Sequence, residues 1–299
     1  MNKTPKLFIL AGAVLASLFL FVSIVYNNFV QKSIYEENSR HLLSTYEQVD
    51  KTFTMFVQHN WNALSDWSNN LQYLDDTENM KTLWYEFTRR KDAWQYQDFY
   101  MFNENCDFIT AAGRDGNAPN IQGIFLDMYA TGQPVISSYI ASDSNRRIVF
   151  ALPMEVPYTI NGITYSGLAV SYNNDVVEKL IAGNIYQGQS DCYILTSDGN
   201  VLLSLEPKTE FLQHISNLFD FLNNYTDMTE TEITDLKKNI KNVSTGSLQC
   251  RYNNKNYYLV YEPTGINDWT IVGIIHNDVV DASMRRIQFI TIVLLLILN

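Results

Sequence analysis

Between Gly12 and Gly113 the chain holds no glycine and no proline, a run of 100 residues. With no helix breaker over that length, a long helix is the simplest fold for its first half. Leu42, Tyr46, Val49, Phe53, Phe56, Leu64, Trp67, Leu71 and Leu74 recur at steps of three, four or their sums. That is one face of a helix. The spacing predicts a helix from about Val25 to Leu74, extending about 65–70 Å. We expect its stripe to pack on the chain's own domains. We also expect its near-heptad part, Leu42, Tyr46, Val49, Phe53 and Phe56, to seat a second copy of the chain as a dimer seam.

The predicted helix emerges from Leu7–Val25, 19 residues without a charge. Such a run spans a bilayer core of about 30 Å. Lys3 and Lys6 precede it and no acidic residue does, which places the N-terminus in the cytoplasm and residues 27–285 outside. Tyr26-Asn27-Asn28-Phe29 follows in place of a small-residue cleavage site, so the run reads as an anchor and not as a cleaved signal peptide. At the other end, Ile287–Asn299 opens a second apolar run. Its helical rise of about 20 Å reads as the start of a second span. Arg285 and Arg286 lie on its outer side, against the usual bias.

Beyond residue 90 the period changes. Residues 97–116 alternate aromatic and β-branched runs about the turn Asn103–Cys106, a hairpin. Residues 121–132 read as a helix. Residues 133–140, 146–154 and 163–172 read as three strands, the last two joined by Asn161-Gly162. A helix capped near Asn174 or Asp175 follows, with Asp175 and Glu178 at capping-box spacing. The order then repeats: a hairpin over 190–205, helices over 210–226 and 230–242, strands over 245–254, 255–263 and 267–277, and a helix from Asp278. Both units end on Asn-Asp-Val-Val, at Asn174 and at Asn277. Tyr100-Met101-Phe102 corresponds to Tyr193-Ile194-Leu195, which argues for a duplicated fold. A short helix over Glu78–Arg90 precedes the first unit.

With 46% hydrophobic and 18% charged residues the chain is too apolar for disorder. A net charge of −11 excludes the basic stripe that nucleic acid requires. Cys106, Cys192 and Cys250 are too few and too scattered for a disulfide framework. His41, His59, His214 and His276 have no neighbour at metal-ligand spacing, and no nucleophile elbow or phosphate loop occurs. We therefore expect no catalytic residue, no metal and no cofactor.

The anchor, the long stalk, the two α+β units and the return through "NDWTIVGIIHNDVVDASMRRI" towards the membrane resemble a double Cache sensor, the extracytoplasmic part of many bacterial receptors. The resemblance covers about residues 26–299. It implies an α+β fold: a long N-terminal stalk helix with two tandem PAS-like antiparallel-sheet modules, flanked by transmembrane helices. The segments become 1–26 (cytoplasmic tip and first span), 27–75 (stalk), 76–185 (membrane-distal sensing module), 186–284 (membrane-proximal module) and 285–299 (second span). It also implies a small ligand in the distal module. The signal would pass to a histidine kinase, a diguanylate cyclase or a chemoreceptor coil that lies outside this chain. A membrane-anchored adhesion or scaffold ectodomain is the alternative.

Small-ligand pockets pair aromatic walls with a few fixed polar groups. In the distal module Tyr100, Phe102, Tyr139, Phe150 and Tyr172 are the candidate walls. Arg114 is the candidate carboxylate clamp and Asp115 the amine acceptor. The amino-acid-binding subfamily carries a Tyr, Arg, Trp and Tyr cluster and a late Asp. Residues 117–132 lack that Arg and Trp, and Tyr172 stands near the Asp position. The expected ligand is therefore a small organic molecule other than an amino acid, with recognition through partner proteins as the alternative.

Overall fold

The computed structural model describes residues 4–71, 95–110, 113–118, 122–141, 145–182, 185–204 and 215–281, with Tyr85, Thr88 and Arg89 as isolated helical positions. The expected helix over 78–90 otherwise lies outside the described residues, as does the expected second span.

Helix α1, Thr4–Leu71, is unbroken over 68 residues and about 100 Å long. Among the described residues no helix is long and apolar enough to cross a membrane. The stripe read from the sequence is buried: Leu42, Tyr46, Val49, Phe53, Leu64, Trp67 and Leu71 form one core with residues of both sheets. Phe56 packs at its edge. Packing on the chain's own sheets is what the side chains do, and the five residues assigned to a dimer seam are occupied by it. The stalk face turned away from the sheets carries Met55, 72% exposed.

The first sheet is antiparallel, ordered β3-β2-β1-β6-β5-β4. Its strands are β1 (Asp98–Phe102), β2 (Asp107–Thr110), β3 (Asp115–Asn117), β4 (Val135–Ile140), β5 (Arg146–Ile160) and β6 (Ile163–Asn173). Helix α2 (Gln122–Thr131) lies between β3 and β4 in sequence. The β5–β6 turn falls on Asn161 and Gly162 with φ of 51° and 81°, the left-handed values that an Asn-Gly hairpin turn requires. Strand β3 was not anticipated; three exposed residues, Asp-Gly-Asn, carry no apolar period.

After α3 (Asn174–Ala182) and a 3-10 turn (Ile185–Gly188), the second sheet follows in the order β8-β7-β11-β10-β9. Its strands are β7 (Ser190–Leu195), β8 (Val201–Ser204), β9 (Gly246–Tyr252), β10 (Lys255–Pro263) and β11 (Thr270–His276). Helices α4 (Leu218–Tyr225) and α5 (Glu230–Lys241) cover its outer face. The helix expected over 210–226 starts at Leu218, because the Asn217 side chain caps it by accepting from Phe219 N and Asp220 N. Both Asn-Asp-Val-Val stretches open helices, at Asn174 and Asn277. Cys106, Cys192 and Cys250 are free and buried.

Both sheets lie against α1, the second along its lower part and the first along its upper part. Phe53 stacks on Trp269 of the second sheet's last loop. Phe56 meets Phe150 and Tyr172 edge-on, and Trp67 meets Phe99. Side-chain hydrogen bonds fasten one sheet unit to the other. Ser138 Oγ donates to Leu202 O, Asn267 Nδ2 to Ile136 O and Asn174 Nδ2 to Ser204 O.

Candidate functional site

Side chains alternate across a strand, so the register assigns every residue of the first sheet to a face. Phe99, Met101, Ile148, Phe150, Leu168, Val170 and Tyr172 face α1. The opposite face is built in rows. Asp98 lies beside Ser171, which lies beside Val149, which pairs with Ser137. In the next row Tyr100, Ala169, Ala151 and Val135 align, and beyond them Phe102 pairs with Gly167. On the other flank Arg147 pairs with Asn173 and Tyr139.

The two ends of this face differ. At the Phe102 end, α2 closes the sheet: the Phe125 ring stacks on Phe102 at 3.7 Å. Tyr129 donates to Phe102 O and accepts from Ser166 Oγ. Burial pushes the Tyr129 phenol up to about 12, with the Ser166 bond opposing the shift. Gly167 is required here, since a Cβ at that position would stand 2.5 Å from the Phe102 ring.

At the Asp98 end the floor is small, Ala169, Ala151 and Ser171, and its rim is polar. Asp98 bridges two arginines, with Oδ1 3.0 Å from Arg114 and Oδ2 3.0 Å from Arg147. The Asp98 and Arg147 side chains are 17% and 13% exposed, whereas Arg114 is 69% exposed. The trio carries a net positive charge in a half-desolvated setting, where an ionic group is felt most. The Tyr100 hydroxyl and Ser171 Oγ are buried without a hydrogen-bond partner of good geometry among the described residues, and so is Asn173 Oδ1. Burial holds the Tyr100 phenol well above its ordinary pKa, with Tyr139 and Asp98 adding to the shift. It is therefore a neutral O–H donor. Leaving such groups unpaired costs about 1–3 kcal/mol each. Three such groups lie on one face, beside a shared ion pair.

Of the seven residues picked from the sequence, Tyr100, Phe102, Tyr139 and Arg114 fall on this face. Phe150 and Tyr172 do not. They have the opposite strand parity and dock the sheet on the stalk, where the Tyr172 hydroxyl donates to Asn60 Oδ1 at 2.8 Å. Asp115 is exposed on β3, in the row of Ile109, which faces α1. Sequence reading missed Asp98, Arg147 and Ser171. The usable signal was parity: Arg147, Val149 and Ala151 alternate with Ile148 and Phe150, a charged residue followed by small ones. Among the described residues no cluster of three His, Cys, Asp or Glu side chains is placed to hold a metal.

No family model matches the sequence, and no curated protein matches it. Solved structures do match. The sensory domain of the Campylobacter jejuni chemoreceptor Tlp3 with isoleucine bound is 12% identical, with a TM-score of 0.56; the match covers 85% of this chain and 98% of that one. The ligand-binding domain of the Pseudomonas aeruginosa amino acid chemoreceptor PctB, in complex with L-Arg, is 13% identical with a TM-score of 0.55, over 78% of this chain and 92% of that one. The P. aeruginosa PctC domain in complex with GABA is 10% identical with a TM-score of 0.54, over 79% and 99%. This chain shares the fold of these sensory and ligand-binding domains. At these identities the likeness is one of fold. The expectation that sets amino acids aside finds no support in it, since the ligands named for these domains are isoleucine, arginine and GABA.

Proposed function

We propose that the chain is the extracytoplasmic sensing region of a transmembrane receptor and that its distal module binds a small zwitterion of the amino-acid class. The observation that carries the reading is the row of unpartnered buried groups, Tyr100 and Ser171, beside Asp98 between Arg147 and Arg114. A ligand carboxylate suits the guanidinium of Arg147 or Arg114, bidentately if it lies in plane. A ligand ammonium suits Asp98. The double Cache neighbours, sensory domains whose named ligands carry both groups, support this class.

In this reading 76–185 is the sensing module, 186–284 the relay and 27–75 the stalk. Anchoring rests on the sequence, on the uncharged run Leu7–Val25 and the apolar run from Ile287. A second copy would meet the stalk on the face that carries Met55. A ligand shifts the receptor only by its differential affinity for two arrangements. Here both sheets share one helix, so a change in the distal sheet is delivered to α1 directly.

The test is a thermal-shift and calorimetric screen of the purified chain in detergent against amino acids, GABA and dicarboxylates. One or more zwitterions should raise the midpoint, and Arg147→Ala and Asp98→Asn should each abolish the effect. Ser171→Val separates fold from function: it removes an unpartnered buried hydroxyl, so the free chain should gain about 1 kcal/mol while the response is lost. A screen without hits, or a hit that binds Arg147→Ala unchanged, would refute the assignment.

A further inference from the structure

One end of the second module carries a cluster of aromatic rings at its surface. Helix α4 ends on Tyr225, which is 64% exposed. The Phe221 ring lies 5.3 Å from that of Tyr225 and 5.4 Å from that of Tyr252, the last residue of β9. Phe221 and Tyr252 are half-buried and pack on the core between the sheet and its two helices. The three rings form a strip that starts at the core and ends in solvent. We propose that this strip rests in the headgroup layer of a lipid bilayer and holds the second module against the membrane. The contact rests on the anchoring read from Leu7–Val25.

Depth selects the occupant. Strand β10 climbs beside α1 in the same direction. Asn38 donates to Tyr258; Tyr46 fills the space over Gly273, which pairs with Val260; Phe53 stacks on Trp269, beyond the Pro263 end of the strand. The same relation can be followed downward. From Tyr258 to Asn254, in the β9–β10 turn, the strand drops about 13 Å. An equal drop on α1 is about nine residues, from Asn38 to Phe29, which is 67% exposed. Phe29 lies one helical turn past Val25, so the β9–β10 turn stands at the depth where the uncharged run ends. Helix α4 descends to the same level. Its N-cap Asn217 donates to Asp198 O in the β7–β8 turn, at the Pro263 end of the sheet. Asp227, just past its C-terminus, donates its N–H to Arg251 O and accepts the Arg251 N–H at Oδ1.

Composition fits that depth. A tyrosine joins an apolar ring to a polar tip and is favoured where hydrocarbon gives way to headgroups. The positions next to the rings in sequence, Asn223, Asn224, Asn253 and Asn254, are exposed and uncharged. In a chain of net charge −11, residues 246–261 hold Arg251 and Lys255, both exposed, and no acid. Their charge is of the sign that lipid phosphates attract. Asp227 and Asp278 lie at the same end, so the rings carry the contact and the cations orient it. The contact therefore forms on zwitterionic lipid alone.

The test uses the full chain in phosphatidylcholine vesicles. Cys106, Cys192 and Cys250 are buried, so Asn224→Cys, beside Tyr225, directs a polarity-sensitive fluorophore to the strip. Val243→Cys is the control. Val243 is 66% exposed in the same module but at the opposite end, just past Lys241, which pairs with Asp198. On reconstitution the label at Asn224→Cys should shift to the blue and lose emission to lipids with nitroxide headgroups. The label at Val243→Cys should do neither. Adding Tyr225→Ser to Asn224→Cys should reverse both changes and leave the unfolding midpoint in detergent unaltered. Flotation separates the two ways of failing. A chain that does not float with the vesicles refutes the anchor and the contact with it. A chain that floats while the Asn224→Cys label stays unquenched, is quenched no more than the control, or is unmoved by Tyr225→Ser overturns the contact alone. A blue shift without quenching that grows with protein density also overturns it, and assigns the strip to a second copy of the chain.

Discussion

Replacing Gly273 with alanine tests how firmly the stalk is keyed to the second sheet. Gly273 sits mid-strand in β11, hydrogen-bonded on both sides to β7 and β10. Its backbone accepts any residue, but a Cβ there would overlap the ring of Tyr46. Tyr46 is fully buried on α1, so the phenol is a knob in a slot that only glycine leaves open. The sheet backbone cannot retreat, because its neighbours hold it. The ring must leave its place or the helix must lift. Overpacking of this kind costs about 1–3 kcal/mol, and rigid backbones on both sides place it at the upper end. At about 2–4 °C per kcal/mol for a chain of this order, the midpoint should fall by roughly 5–10 °C. Urea unfolding followed by tryptophan fluorescence gives the free energy, with Trp269 reporting from the same interface. Tyr46→Ala alone is costly, roughly 3–5 kcal/mol by analogy with large aromatic truncations. In that background, however, the methyl group added by Gly273→Ala has nothing to strike and should cost under about 0.5 kcal/mol. A Gly273→Ala cost that is negligible, or equal in both backgrounds, would refute the keyed contact. If the key holds, the stalk cannot slide by one turn, about 5.4 Å, without withdrawing Tyr46. Motion passed down α1 must then pivot or rotate about that point.

Tyr172→Phe removes the donor to Asn60, a residue buried against the distal sheet; we expect a loss of about 1–3 kcal/mol in urea unfolding with ligand affinity unchanged. Thr229→Ala breaks a complete capping box with Glu232 at the start of α5 and should cost about 1 kcal/mol, visible as faster amide exchange in its first turn. Glu262 of β10 is expected to favour acid. Burial raises its carboxyl pKa, and the charges of Asp50 and Glu47 on the stalk raise it further; burial raises Asp50 as well. The folded state thus holds these protons more tightly than the unfolded chain. Their contribution is fully present below the ordinary carboxylate pKa and is lost as pH rises through the raised value. Glu262→Gln should therefore raise the midpoint near neutral pH, and the gain should vanish in acid. A gain that grows on acidification would reverse the sign and refute the account.

Local signals in the sequence carried most of the architecture. The Asn161-Gly162 turn, the buried stripe from Leu42 to Leu71 and the paired Asn-Asp-Val-Val helix starts depend on near neighbours, and all appear where expected. The candidate site was harder to read because it is non-local. Asp98 meets Arg114 across 16 positions and Arg147 across 49. Only the register of β1 against β6, and of β6 against β5, brings them together. Choosing candidates by aromatic size favoured Phe150 and Tyr172, whose parity turns them to the stalk, over Ser171 and Ala151, whose smallness makes the floor. The face expected to form a dimer seam, Leu42 to Phe56, is taken up by the chain's own sheets for a related reason. A periodic stripe states that a face is buried, not what buries it.

The two sheet units differ at matched positions. In β7, Asp191 and Tyr193 stand where Asp98 and Tyr100 stand in β1, and both tyrosine hydroxyls are buried without a hydrogen-bond partner of good geometry among the described residues. The strands beneath them have diverged. Across from Phe102, Tyr100 and Asp98, β6 presents Gly167, Ala169 and Ser171. Across from Leu195, Tyr193 and Asp191, β11 presents Thr270, Val272 and Ile274. The next strand repeats the contrast, with Arg147, Val149 and Ala151 on β5 against Tyr257, Leu259 and Tyr261 on β10. Each of these six floor positions but the first on β5 is larger in the second module, and there an arginine has become a tyrosine. The second face is filled by its own side chains and by α4 and α5. A packed interior transmits displacement because it compresses little, whereas a face with a small floor and unpartnered polar groups has a reason to bind. The opposite faces of both sheets rest on the same helix, with Phe56 against the first and Tyr46 against the second. Enlarging the distal floor towards the proximal pattern, with Ala169→Val and Ser171→Ile together, should therefore leave the fold intact and silence the distal ligand response.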